Sequence, residues 1–235
     1  QKTAYEIGVR LVGSEMCIRD SSYVREEDDH LAIGSLTSHR EIETNELVLV
    51  NSGLLAAATR QVGDPQVRHR GTIGGALAHG DPASDIPSAA LALRASFIIE
   101  GPSGEREVGA DDFFTGFLET ALEPEELLTE IRVPKLPNSK WTFQKFNRRA
   151  QDWAIVGASV LIADNQCGVG LVNMDFKPIR AASLEEAIEN GASAEEASQL
   201  AADGLEPPSD LNASTEYRSH LARVLTKRGL QESGK

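Results

Sequence analysis

The sequence predicts an α+β fold, on three observations. Short apolar runs bounded by Gly, Pro and Asp read as strand hairpins near Tyr23 and near Ser96. Between them lie Ala- and Leu-rich runs with helical spacing. Beyond Pro134 come three successive strand-like runs, then helices that carry their own start signals. Strands and helices cluster instead of alternating, which is the pattern of an α+β chain. At 235 residues, 40% hydrophobic and 25% charged, the chain has enough material for one large domain or two small ones.

The segment Gln1 to Asp20 fits poorly with the rest of the chain. It resembles translated adaptor read-through and is read as a non-native leading segment, the alternative being a divergent leader; it is set aside from fold reasoning. From Tyr23 the chain is legible. The charged turn EEDDH joins Tyr23-Val24-Arg25 to Leu31-Ala32-Ile33 as a hairpin. Ser38 stands three residues before Glu41, the spacing of a capping box, so a helix opens there. The helical run Leu54 to Val62 stops at Gly63-Asp64-Pro65, because proline cannot continue it. Asp85 reads as an N-cap, with Pro87 in the first turn of a helix over Ser88 to Arg94.

Ser96 to Glu100 and Arg106 to Val108 form a second hairpin, and Asp111 to Gly116 reads as a loop with buried aromatics. Leu127 to Val133 is a strand ended by Pro134, and Pro134, Pro137, Asn138 and Ser139 mark a boundary. Trp141 to Phe146, Ala154 to Ala163 and Cys167 to Phe176 then read as three antiparallel strands, with turns at Ala150-Gln151-Asp152 and Asp164-Asn165-Gln166. Ser183 and Ser193 each stand three residues before a Glu, two further capping boxes, and Gly191 is placed to end the first helix. Tyr217, Leu221, Val224 and Leu225 give the last helix one buried face. The expected organisation is therefore a leading segment 1–20, a first domain 21–136 and a second domain 137–235.

A net charge of −13 argues against a nucleic-acid surface, which needs a basic face. No run approaches the roughly 18 apolar residues of a membrane span, and nothing reads as a signal peptide, so the expected location is the cytoplasm, any contact with the inner face of a membrane being made through partners. Cys17 and Cys167 are too few for a four-thiolate iron–sulfur site, so metal chemistry is expected on a partner. There is no G-x-G-x-x-G, no G-K-[ST] and no H-E-x-x-H. His39 and His79 lack a supporting acidic or cysteine cluster and read as surface or turn histidines.

The most informative stretch is Gln66 to Asp85, QVRHRGTIGGALAHGDPASD. Glycines at Gly71, Gly74 and Gly75 permit sharp turns and let another molecule approach bare backbone, whose N–H groups suit an anion. A tight turn before a capped helix has the same local pattern.

Together with LAIGSLTSH, DDFFTGFLETALEPEELLTEIRVP, KFNRRAQDWAIVGAS and EPPSDLNASTEYRSHLARVLTKRGL, this stretch resembles, in order and spacing, the FAD-binding medium subunit of the molybdenum hydroxylases, as in aerobic carbon monoxide dehydrogenase and the flavin domain of xanthine dehydrogenase. The resemblance implies an FAD-binding α/β domain of the vanillyl-alcohol-oxidase (PCMH) type followed by a three-stranded antiparallel sheet with helices. It implies FAD contacts at Thr72, Ile73, Gly74, Gly75 and Ala76, through backbone N–H groups reaching the diphosphate. Asp85, Leu128 and Lys145 would contact the cofactor further on. Read locally, Asp85 is a helix cap, Leu128 a core residue, and Lys145 and Asp152 a solvated pair.

The resemblance further implies no catalytic residue on this chain. The molybdopterin lies on a large partner subunit and two [2Fe-2S] clusters on a small one, in a dimer of heterotrimers, with quinone or NAD as acceptor. Purine, aldehyde and heterocycle dehydrogenases stay open as relatives. One departure stands out. The family's leading segment carries an A-G-G-x-[ST] loop, the first half of the diphosphate cradle, whereas Gly8, Gly13 and Gly34 are single glycines outside that pattern. The chain is thus expected to lack the first FAD subdomain and to hold FAD weakly, or to act as a scaffold fragment.

Overall fold

The computed structural model describes residues 21–163 and 166–235. The leading segment and the residues Asp164 and Asn165 of the expected turn lie outside the described residues.

The first sheet is antiparallel and five-stranded. Strand β1 (Val24–Glu26) pairs with β2 (His30–Gly34), as the hairpin pattern predicts. Strands β3 (Ser96–Gly101) and β4 (Gly104–Gly109) form the second expected hairpin. The long strand Leu127–Pro134 lies between β2 and β3, and a shift in its register on β3 falls between Ile98 and Ile99. Pro134 does not stop short of the sheet; it is the last paired residue, opposite His30.

Helices cover one face. Helix α1 (His39–Thr44) opens at Ser38, whose hydroxyl accepts from Glu41 N–H. The reciprocal arm of the expected box is diverted, because the Glu41 carboxylate accepts from Ser22 Oγ at 3.4 Å. Helices α2 (Glu46–Asn51) and α3 (Gly53–Arg60) follow. Asp64 then caps a short helix, α4 (Pro65–Arg70), by accepting from Val67 N–H. The start of the glycine-rich stretch is therefore helical. Next come α5 (Ile73–His79) and α6 (Asp85–Ala92). The segment expected as a loop is a short helix, α7 (Ala110–Phe113), followed by strand Phe114–Gly116 paired with Glu119–Thr120. Its aromatics are buried as expected: Phe113 packs edge-on to Phe97 at 4.6 Å and to Phe114 at 5.3 Å. Full burial of each such side chain is worth about 1.5–3 kcal/mol.

The second sheet has the three expected strands, at Lys140–Phe146, Val156–Ala163 and Gln166–Val172, but the last takes in Gln166, expected in the turn, and ends before the expected Phe176, and there is a fourth strand, Ile179–Arg180. Two residues are too few to show an alternating pattern. Helices α8 (Ala182–Glu189), α9 (Ala194–Ser198) and α10 (Thr215–Glu232) pack on this sheet around a second hydrophobic cluster. Ser193 and Glu196 form the predicted capping box. Ser183 does not cap α8, which starts one residue before it; its hydroxyl donates to Asp203 instead. Gly191, at φ 90°, ends α8 as expected. On α10 the buried stripe includes Leu221 and Leu225, while Tyr217 lies on the exposed side and its place is taken by Arg218, which is fully buried.

Helix α6 joins the two halves. All eight of its residues are buried, and Ile86, Ala89, Ala90 and Leu91 belong to the first core. Its other side lies on Gln166–Val172, where Gly168 and Gly170 face it. A Cβ at Gly168 would stand 2.0 Å from Ala92 O and one at Gly170 1.9 Å from Ser88 O. Only glycine permits that backbone approach. Ser88 Oγ and Ser159 Oγ, 2.8 Å apart, complete the seam. The seam fixes the N-terminus of α6 relative to the second sheet.

Glu185, buried on α8, makes the stability depend on pH. Its carboxylate accepts from Val169 N–H at 2.6 Å and pairs with Arg180 at 2.8 Å. Burial pushes its pKa up to about 7. A raised folded-state pKa stabilises the fold below the unfolded value of 4.5, and that contribution is lost as pH rises through about 7. Denaturant midpoints should accordingly fall between about pH 5 and 8, and Glu185→Gln should flatten the upper part of that slope. Equal slopes in the two proteins would rule this out.

Candidate functional site

The glycine motif sits at the start of α5. Thr72 caps the helix, its hydroxyl accepting from Gly75 N–H at 3.2 Å. Ile73 N–H donates to Thr37 O at 3.0 Å and Gly74 N–H to Ser35 O at 2.8 Å, so the segment after β2 is laced to the first turn of α5. The two glycines have different reasons. A Cβ at Gly74 would lie 2.5 Å from Ser35 Cβ and 2.6 Å from Ser35 O, so the chain's own packing requires that glycine. A Cβ at Gly75 would meet only the Thr72 hydroxyl, at 2.9 Å, and Gly75 is exposed.

Gly75 and Ala76 form one wall of a cavity of about 410 Å³. The lining also holds Asp85, at the start of α6, and Lys145, on the strand Lys140–Phe146, with His39, Val62, Val67, His79, Gln151, Asp152 and Trp153. Lys145 Nζ is 2.6 Å from Asp85 Oδ2 and also donates to Gln61 O at 3.0 Å. Both side chains are almost fully buried, at 3% and 5% exposure. The expected solvated pair of Lys145 with Asp152 is therefore corrected: the ammonium is out of water and needs a partner there, which Asp85 supplies. Asp85 is not the cap of α6 either. Ser84 occupies that position, and Asp85 is the first helical residue, which leaves its carboxylate free to pair.

Burial pushes the Asp85 pKa up to about 6, against the opposing pull of Lys145. Its second oxygen, Oδ1, is buried and has no hydrogen-bond partner among the described residues. His39 is likewise corrected from a surface histidine to a buried one, at 4% exposure, whereas His79 is exposed as expected.

Of the eight expected cofactor-binding residues, Gly75, Ala76, Asp85 and Lys145 come together around the cavity. Thr72 and Gly74 support that wall from behind, and Ile73 is buried in the first core. Leu128 lies in the strand Leu127–Pro134 and packs into the same core, outside the cavity wall. Sequence reasoning missed Gln151, Trp153 and His39 as wall residues. A loop residue, an exposed tryptophan and a helix-start histidine carry no periodic signal. Among the described residues no group of three or more His, Cys, Asp or Glu could hold a metal ion. No helix there is long and apolar enough to cross a membrane.

The wall formed by residues 151–153 is held at its end. Asn173, at φ 61°, donates from its side chain to Ala154 O at 3.0 Å and from its backbone to Pro82 O at 2.7 Å, tying this wall to the segment that leads into Asp85. Arg218 Nη1 donates to the adjoining Ile155 O, and Nη2 to Asp210 at 2.8 Å. Replacing Asn173 by Ala removes the side-chain bond and places alanine in the left-handed region, so a loss of about 1–3 kcal/mol is expected in denaturant unfolding.

The profile of the family described as "FAD binding domain in molybdopterin dehydrogenase" matches residues 16–136, and that of the "CO dehydrogenase flavoprotein C-terminal domain" matches residues 141–233. The chain belongs to the FAD-binding medium-subunit family of the molybdenum hydroxylases. It is 36% identical over 217 residues to the carbon monoxide dehydrogenase medium chain of Hydrogenophaga pseudoflava, covering 88% of this chain and 76% of the relative. It is 34% identical to the glyceraldehyde dehydrogenase medium chain of Sulfolobus acidocaldarius, covering 92% and 80%. A solved structure of carbon monoxide dehydrogenase from Hydrogenophaga pseudoflava superimposes with a TM-score of 0.87 at 35% identity, over 92% of this chain and 78% of that one. Members of this family are oxidoreductase subunits, and the mixed helix and sheet architecture agrees with the match.

Proposed function

We propose that this chain holds FAD in the cavity between α5 and the Asp85–Lys145 pair, and serves as the electron-transfer subunit of a molybdopterin-dependent dehydrogenase. The observation that carries this reading is the buried pair itself. Two charges are kept out of water at the wall of a cavity that is also lined by bare backbone at Gly75. Such an arrangement is costly for the fold alone and suits a polar ligand with an apolar ring system. Gly75 leaves backbone accessible, Asp85 Oδ1 is an unsatisfied acceptor for a ligand N–H or O–H, and Lys145 holds that carboxylate in place.

FAD, when bound, would supply the redox chemistry that links single-electron carriers to an acceptor of electron pairs. The chain's own residues bind and orient it, and the buried pair sets the local field. On this reading the first domain is of the vanillyl-alcohol-oxidase (PCMH) type, and 21–136 and 137–235 are its two units. Two [2Fe-2S] clusters on a small partner subunit deliver electrons that originate at molybdopterin on a large one, in a dimer of heterotrimers, and quinone or NAD takes them away. Carbon monoxide is the favoured substrate of the assembly, with purines, aldehydes and heterocycles as the alternatives.

A second reading, a scaffold that docks partners without flavin, has one observation in its favour. The N–H groups of Ile73, Gly74, Gly75 and Ala76, expected to meet the diphosphate, all donate within the chain. Purification of the subunit decides between the two. A visible flavin spectrum with stoichiometric FAD supports the first reading, and colourless folded protein that takes up no added FAD supports the second.

A further inference from the structure

His39 is the first residue of α1, and its backbone N–H donates to Gly71 O at 2.9 Å. The imidazole lies against Gly71 closely enough that a Cβ there would stand 2.7 Å from Cδ2 and 2.8 Å from Nε2. Glycine at 71 thus makes room for this ring, a purpose unrelated to phosphate binding. The side chain forms part of the cavity wall that also holds Gly75, Ala76, Asp85 and Lys145. Its Nδ1 is buried and has no hydrogen-bond partner among the described residues. Burial, with the Arg68 guanidinium nearby, pushes the His39 pKa down to about 4, so the ring is neutral at physiological pH. A neutral imidazole offers one donor and one acceptor, and leaving a buried polar atom unpaired is costly.

A second unpaired atom in the same wall, Asp85 Oδ1, is an acceptor. Asp85 Oδ1 suits the parts of a flavin dinucleotide that carry hydroxyl or N–H groups, and not its diphosphate, which has no hydrogen to donate at neutral pH. His39 Nδ1 donates or accepts according to its tautomer. We propose that His39 is a further ligand-contacting residue of this cavity, hydrogen-bonded through Nδ1 to a polar group of the bound flavin nucleotide. The inference rests on the assignment of FAD to the cavity.

The test is titration of the flavin-free subunit with FAD, followed by flavin fluorescence, in wild type, His39→Leu and His39→Asn. His39→Leu should weaken binding about tenfold with an unchanged circular dichroism spectrum, and His39→Asn, which keeps a polar atom near the position of Nδ1, should stay within about threefold of wild type. If wild type binds FAD and His39→Leu binds equally well, the inference fails while the FAD assignment stands. If wild type binds no FAD, the assignment itself fails. Should His39→Leu not fold, the imidazole nitrogen resonances of wild type decide without a variant. The Nδ1 signal should move on FAD addition, and a signal that stays in place overturns the proposal.

Discussion

Lys145→Met should cost the protein about 3–5 kcal/mol at pH 8, because it strands the Asp85 carboxylate in a buried site without its partner. The deficit should shrink towards pH 5. Asp85 already titrates near 6 because of burial, and without the ammonium its pKa rises further, so at low pH the variant holds a neutral acid and loses less. Denaturant unfolding at the two pH values measures this directly. Adding Asp85→Asn to Lys145→Met should restore most of the stability by removing the stranded charge. It should not restore flavin, since both cavity-wall groups are then gone. A double variant that retains FAD would separate the pair from the cofactor and confine it to a structural role.

Gly74→Ala and Gly75→Val should fail in different ways. The added Cβ at Gly74 meets the backbone of Ser35 at 2.6 Å, so α5 must move and the bond from Gly74 N–H to Ser35 O is strained or lost. A loss of about 2–4 kcal/mol is expected, with flavin lost as a consequence. At Gly75 the nearest atom is the Thr72 hydroxyl, the cap of α5; moving it aside costs about 1 kcal/mol, so the fold should hold. The branched side chain enters the cavity and FAD retention should drop with a smaller fall in unfolding midpoint than Gly74→Ala gives. The opposite results would be a Gly75→Val destabilised as much as Gly74→Ala, or a Gly74→Ala of wild-type stability.

Much of the fold is legible in the sequence because it rests on local chemistry. The two hairpins of the first sheet follow from turn residues between apolar runs, and Ser38, Ser193 and Gly191 act at helix ends as their types predict. Asp85 and Lys145 are marked for the site by resemblance, but their partnership is not readable. They stand 60 positions apart, and only the seam between α6 and the second sheet brings them together. That seam does leave a trace in the sequence: Gly168 and Gly170 alternate on one face of a strand, where glycine marks a close backbone approach. Helix α4 escapes a pattern-based reading because Val67 is its sole aliphatic residue after the opening proline, so it shows no apolar period. The burial of His39 is equally hidden, since nothing in its neighbourhood announces it; the packing of Gly71 against the ring creates it.

The seam also explains why cavity and fold are coupled. The α6 segment that supplies Asp85 belongs to the first core, yet its backbone lies on the second sheet, which supplies Lys145. A ligand between them therefore spans elements from both halves of the chain, and its binding should stabilise their packing.

The most direct test of the central claim is a structure of the subunit determined with FAD. The flavin nucleotide should lie in the cavity walled by Gly75, Ala76, Asp85 and Lys145, with a hydrogen-bonding group of the ligand on Asp85. FAD bound elsewhere would contradict it, for example in the neighbouring polar cavity walled by Arg148, Asn212 and Arg218.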